Sequence, residues 1–347
     1  MSQSLLSPLK KRHFFRAISS VLFTGVVGVG VGVGAPAHAD TLLDEPLSLS
    51  ERSPLAQRFN LPGTRSGDVL NAGETHWRFG VDLANNYVRD NAGAETLIFD
   101  GELQRYEFGV RYGLGSQWEV GIMLPWMTYR GGVLDSFINR WHSAWGLPDH
   151  DRSNYPSDKL QFTHTTNGKI DFNFDRAQSG FGDVQLQIAN QILETERNRV
   201  ALITSVNLPT GDDDKLTGGG GTSIGVFLAA THSGLFELPL TLSGNIGAQS
   251  LPDSDVLSDR QKSSAWFGSG EIAWAYTADT RLRAQLSMHS AIYDSALASL
   301  GDNSTQLLLG GSVRLDPHWV LDVALSEDVA LDTAPDISLQ LALKARY

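Results

Sequence analysis

With 347 residues and a formal net charge of −12 at pH 7, the chain lacks the basic balance that nucleic acid demands of a partner, which excludes nucleic acid. It has no cysteine, which excludes a disulfide framework and a lipidated cysteine anchor. Beyond residue 39 no uninterrupted apolar stretch reaches the roughly 18 residues that cross a bilayer as a helix, so a membrane-embedded fold would have to be a closed β-barrel.

At the N-terminus Lys10, Lys11, Arg12 and Arg16 precede an apolar run that includes GVVGVGVGVG and ends in APAHAD, with Ala37 and Ala39 at the two small-residue positions of a signal-peptidase site. Residues 1–39 therefore read as a cleaved secretory signal, since the glycines make a poor anchor helix. Residues 40–74 are rich in Pro, Ser and Gly and are assigned to the periplasm, with insertion into a barrel lumen left open.

From residue 75 the sequence breaks into blocks of period two. THWRFGVDLA sets Trp77, Phe79, Val81 and Leu83 against His76, Arg78 and Asp82. RYEFGVRY and SQWEVGIMLPW repeat the pattern. Further blocks follow near 182–194, 198–209, 222–232, 237–250, 264–276, 280–293, 304–315, 318–328 and 336–347. About twelve strands result, each exceeding or close to the roughly 9 to 11 residues that cross a bilayer when tilted. The connections GLGS, TERN, SGLF, TADT and LDPH are tight, whereas 89–101, 130–181, 210–221, 251–263, 294–303 and 329–335 are longer. That alternation predicts an all-β, transmembrane, antiparallel up-and-down β-barrel over residues 75–347, with short periplasmic turns, long external loops and an outer-membrane location. Aromatic residues gather at strand ends: Trp77, Tyr112, Trp118, Trp274, Tyr276, Trp319 and Tyr347 at the periplasmic side, and Tyr87, Trp126, Tyr129, Trp266 and Tyr293 at the outer side. A soluble sandwich has no reason for two such belts.

If the apolar face meets lipid, the lumen receives Arg78, Arg105, Glu107, Arg111, Glu119, Glu271, Arg281, Arg283, Arg314, Lys344 and Arg346, together with His76, Asp82, His289 and Asp322. Two readings stay open. These side chains form a satisfied salt-bridge network that stiffens a closed barrel, or Arg78, Arg105, Arg111, Arg281 and Arg283 bias a narrow channel towards a small anionic or polar solute. In the second external loop, VLDSFINRWHSAWG spaces Phe137, Ile138, Trp141 and Trp145 by three and four, which predicts a short amphipathic helix, placed in the mouth as a plug or constriction with the lipid interface as the alternative. GDDDKLTGGGG fits neither a phosphate loop nor a calcium loop and reads as a flexible acidic external loop, able to bridge weakly to lipopolysaccharide through divalent ions.

No enzyme, metal site or cofactor is expected, although a surface-interaction role for the closed barrel and, as a second alternative, an outer-membrane hydrolase stay open. Adjacent His289 and Ser290 point to opposite faces of a strand, and no nucleophile-elbow motif is present. The blocks RSPLAQRFNLPG, RYGLGSQWEVG, GGVLDSFINRWHSAWGLP, SGFGDVQLQIANQ, NLPTGDDDKLTGGG and SEDVALDTAPDISLQLALKARY together resemble a proteobacterial family known as domain of unknown function 3187. That family is grouped with outer-membrane β-barrels and supplies no catalytic residues. The final strand SLQLALKARY, alternating and ending on Tyr347, resembles the signal read by the barrel-assembly machinery. Outer-membrane lipid and that machinery are the expected partners.

Overall fold

The structure is a computed structural model that describes residues 41–132, 159–329, 333–335 and 337–347. The signal segment and the loop helix with Phe137, Ile138, Trp141 and Trp145 lie outside the described residues. Fifteen strands are found among those described: β1 (Thr75–Ala92), β2 (Glu95–Gly115), β3 (Trp118–Arg130), β4 (Gln161–Thr166), β5 (Lys169–Phe174), β6 (Gln178–Phe181), β7 (Val184–Glu194), β8 (Asn198–Leu208), β9 (Ser223–Ser233), β10 (Leu240–Ser250), β11 (Ser264–Thr277), β12 (Thr280–His289), β13 (Ser304–Arg314), β14 (Trp319–Asp328) and β15 (Ile337–Arg346).

Twelve of these, β1–β3 and β7–β15, close into an antiparallel barrel. β1 completes the ring, with Trp77 facing Val110 of β2 on one side and Ala345 of β15 on the other. The seam is clasped at the end where β1 begins and β15 ends, where Thr75 N donates to Tyr347 O at 2.8 Å and Tyr347 N to Thr75 O at 2.9 Å. Closure pairs the twelve ring strands on both sides, as hydrocarbon requires, and among the described strands leaves only β5 and β6, outside the ring, with a single partner each.

The period-two pattern decides which face is which. In β9, Ile224, Val226 and Leu228 are exposed, while Ser223, Phe227, Ala229 and Thr231 are buried. The same split recurs around the ring, and an exposed apolar band of that extent is the lipid-facing surface. With strands about 4.8 Å apart and tilted about 40°, a twelve-stranded backbone cylinder is about 24 Å across, too wide for wall side chains alone to fill.

The outer half departs from the sequence reading at residues 89–101, at three belt tyrosines, at the end of β12 and in the GDDDKLTGGGG segment, while the extra external hairpin that NGKIDFNFDR suggested is present. Residues 89–101 are not a long loop: β1 and β2 run on through them to a tight turn at Gly93–Ala94. The β4–β5 hairpin, which contains the IDFNF stretch, pairs with this overhang through Leu97 opposite His164. Tyr87, Tyr129 and Tyr293 do not join the outer belt; all three are buried, whereas Trp126 and Trp266 do face outward. Tyr129 lies two residues from Met127 and so shares its lumenal parity. β12 stops at His289, and the chain then turns into the mouth, carrying Tyr293 with it. Arg89 packs over the ring of Tyr87 at 5.7 Å. Last, the GDDDKLTGGGG segment is not a free acidic loop. The Asp183 carboxylate accepts from Gly211 N at 2.9 Å and Gly219 N at 2.8 Å, drawing the segment inward so that Leu216, at φ 57°, is buried.

These pieces build an apolar cap across the mouth. Phe162 sits at its centre, stacked on Phe174 at 5.8 Å and edge-on to Phe99 at 5.5 Å and Tyr129 at 5.9 Å. Phe162→Ala is expected to lower stability by about 3–5 kcal/mol through the cavity it leaves, read as a lower thermal midpoint with heat-dependent gel migration retained.

Candidate functional site

The wide lumen is occupied by the chain's own residues 41–74. A short helix, α1 (Thr41–Asp44), opens the segment, and Leu42 and Leu43 pack against Val320 of β14. The chain then ascends: Leu47 N donates to Glu271 at 2.8 Å, and Glu51 accepts from Ser304 at 2.9 Å and Gln306 at 3.1 Å. A single 3-10 turn, Gln57–Phe59, ends on Asn60 in the left-handed region at φ 51°, and this reverses the path beneath the cap. There Gln57 Nε2 donates to Leu216 O at 2.8 Å, while Phe59 O accepts from Gln249 at 2.7 Å and Asn207 at 3.1 Å.

On the way down Gly63 O accepts from Asn245 at 2.8 Å, Thr64 donates to Ser269 at 2.7 Å and Val69 N to Gln191 at 3.0 Å. Gly67 passes so close to the wall that a Cβ would lie 2.2 Å from the carbonyl oxygen of Arg199, so only glycine fits. Polar bonds from the segment reach β1–β3, β7–β13 and β15. The wall's lumenal polar groups thus find partners that water would otherwise supply.

Most lumenal charges are paired; the buried Arg58 instead donates to the Ser254 hydroxyl and lies over the Phe59 ring. Glu107 collects three guanidinium groups: Arg105 at 2.6 Å, Arg78 at 2.8 Å and Arg52 at 3.2 Å. Arg52 also holds Asp82 at 2.7 Å. A second group joins Arg111 to Glu45 at 3.1 Å and to Glu119 at 3.6 Å, with Arg65 of the lumenal segment also on Glu119. Arg283 pairs with Glu271, and Lys344 with Asp322 at 3.0 Å. The remaining predicted residues stand apart, at the rim where β15 ends: Arg281 holds Asp44 at 2.6 Å, Arg314 holds Asp279 at 3.1 Å, and Arg346 holds Glu74 at 2.6 Å. Tyr347 is 59% exposed there and stacks on His318 at 5.4 Å. Glu45, Arg52 and Arg65 were not singled out from the sequence, because a coil rich in Pro, Ser and Gly carries no periodicity to mark a side chain as buried. His289 and Ser290 do not meet. The imidazole lies 2.8 Å from the Ser290 carbonyl, and the Ser290 hydroxyl accepts from Trp266 N at 3.2 Å.

Between the segment and the walls of β1–β3 and β7 lies a cavity of about 120 Å³. Gly109 and Gly121 face it without side chains, which leaves the room. Burial alone would raise the Glu45 carboxyl beside it, yet the charges of Arg111, His76, Arg65 and Lys344 hold it at about 2. Asp68 behaves oppositely: burial pushes it up to about 6 against the pull of Arg199 at 2.9 Å. The Glu45 contribution to docking is therefore complete above its ordinary value of 4.5 and lost as pH falls towards 2. The Asp68 contribution is complete below 3.8 and lost as pH rises through about 6. Hydrogen-exchange protection factors should accordingly rise around residues 66–70 as pH falls from about 7 to about 5, while those around 43–48 stay constant until below about 4.5. A uniform response of both stretches would contradict this assignment.

Comparison with known proteins follows the same lines. Residues 24–347 match the family described as protein of unknown function (DUF3187). None of the curated proteins compared matches the chain. Among solved structures, the COG4313 outer membrane channel from Pseudomonas putida F1 is similar at 14% identity and a TM-score of 0.54, covering 81% of this chain and 97% of that one. The NanC porin is similar at 9% identity and a TM-score of 0.43, covering 78% and 98%.

Proposed function

The chain belongs to the DUF3187 family of outer-membrane β-barrels, and we propose that it is a narrow gated channel for a small polar or anionic solute, with residues 41–74 as the gate. The observation that carries this reading is that the lumen is filled by a separable stretch of backbone rather than by side chains of the wall. A wall meant only to be closed is most stable with apolar groups packed across it. Here the wall is hydrophilic, and its donors and acceptors would be met equally well by water or a passing solute. Arg78, Arg105, Arg111 and Arg283 supply a cationic lining along the route, with Arg281 at its periplasmic end. The fold shared with an outer membrane channel accords with this role.

A specific observation favours a second reading, a permanently closed structural barrel: the guanidinium groups of Arg52, Arg78, Arg105 and Arg283 have carboxylate partners. One experiment separates the two. The chain has no cysteine, and the Thr64 and Ser269 hydroxyls are 2.7 Å apart, so Thr64→Cys with Ser269→Cys would tie the segment to β11 by a single disulfide. In planar bilayers the oxidised variant should be silent, and reduction should give anion-selective openings like those of the unaltered protein. Silence of unaltered and reduced protein alike would establish the closed barrel; openings in the oxidised form would show that the segment is not the gate. Lipid is the partner of the outer band, and the exposed Tyr347 at the end of β15 supports recognition of that strand by the assembly machinery.

A further inference from the structure

The cavity of about 120 Å³ between the lumenal segment and β1–β3 has an unusual chemical balance. Four buried polar atoms among the residues lining it have no hydrogen-bond partner: Arg65 Nε, His76 Nε2, Arg78 Nη2 and Arg111 Nη1, the last having the Glu119 carboxylate at the longer ion-pair distance of 3.6 Å. All four are donors. The histidine can be assigned from its neighbour, because Arg111 Nε and Nη2 approach His76 Nδ1 at 3.1 Å and 2.9 Å and a guanidinium can only donate. Nδ1 is thus the acceptor, and the ring hydrogen sits on the unpartnered Nε2. Arg65 and His76 are each more than nine-tenths buried.

Charge points the same way. Five cations line the cavity, Arg52, Arg65, Arg78, Arg111 and Lys344, against two carboxylates, Glu45 and Glu107, while Asp82, Glu119 and Asp322 pair with Arg52, Arg65 and Lys344 from outside the lining. Unsatisfied buried donors are costly and rare, so four of them on side chains around one cavity, three of those on guanidinium groups, describe a site for an acceptor-only group. One such group is already present at its edge. The Glu45 carboxylate lies 3.1 Å from Arg111 Nη2, and Lys344 Nζ donates to the Glu45 carbonyl at 3.1 Å.

We propose that this cavity is a binding site for a small organic carboxylate, recognised by Arg111 with His76, Arg78 and Arg65, and that Glu45 is a resident competitor for Arg111. A ligand carboxylate that takes both terminal nitrogens of Arg111 displaces Glu45 and frees residues 41–48 from β2, so occupancy of the site loosens the gate. The inference rests on the gated-channel reading and deepens it by naming the solute class and the contact it breaks.

The test is calorimetric titration of sodium propionate, and separately of sodium phosphate, into the refolded chain from residue 40 onward, unaltered and as Glu45→Gln. Removing the competing charge should tighten propionate binding by about tenfold. Arg111→Lys in the Glu45→Gln background should abolish that gain, since lysine cannot offer the two-nitrogen fork. Equal propionate affinity with and without Glu45, no binding in proteins that keep heat-dependent gel migration, or phosphate binding as tightly as propionate would overturn the proposal. The disulfide-locked variant keeps the two claims apart. Openings on reduction without any propionate binding would overturn this site alone, while tightened binding in a barrel that never opens would overturn the channel alone.

Discussion

Deleting residues 41–66 is expected to give a barrel with steady, anion-selective openings in planar bilayers. The wall should survive the loss, since its ladder closes through β1 and β15 without the segment. Several of its charges also pair wall to wall: Arg78 and Arg105 with Glu107, Arg283 with Glu271, and Lys344 with Asp322. What disappears is the filling. A backbone cylinder about 24 Å across, lined by side chains projecting about 6 Å from each wall, leaves a water-filled passage about 12 Å wide. The deletion also takes Leu55, Phe59 and Leu61 out of the apolar cap, so the outer mouth loses its underside. Residues 67–74 are kept because Gly67 and Val69 tie the descending limb to β9 and β7, and Glu74 holds Arg346. A folded deletion variant that stays silent would mean that the cap of Phe99, Phe162 and Phe174 seals the barrel without help.

The largest effect of a single substitution among the lumenal charges is expected at Glu107. Its carboxylate is the shared partner of Arg52, Arg78 and Arg105, all within 3.2 Å. Glu107→Ala leaves Arg78 and Arg105 without their carboxylate in a buried space, and such losses cost about 3–5 kcal/mol. Arg52→Ala should cost less. Asp82 then keeps Gln340 at 3.0 Å, and Glu107 keeps two arginines. The ordering is checked by the temperature at which the gel-migration shift occurs. Indistinguishable losses for the two variants would show that water screens these charges and that the segment docks loosely.

Much of this was legible in the chain. The alternation in blocks such as THWRFGVDLA fixes both the strand and its outward face, because a period of two leaves no freedom once one side must meet lipid. Strand number and the clustering of Arg78, Arg105 and Glu107 follow from the same pattern. Parity went unheeded at Tyr129, where an aromatic at a strand end was read as a belt residue though its register with Met127 turns it inward. At residues 89–101 polar content suggested a loop, yet pairing with the β4–β5 hairpin extends the strands well past the bilayer.

What the sequence determined by itself is the barrel: its strand count, its lipid face and the charge of its lumen, all consequences of local periodicity and of the need to satisfy backbone groups in hydrocarbon. What only the tertiary structure decided is how the lumen is filled. Residues 41–74 carry no repeating pattern, and their place depends on carboxylates, amides and hydroxyls supplied by strands up to 299 residues away, as for Glu45 and Lys344. Such contacts are specified by position in three dimensions, which one-dimensional periodicity does not encode.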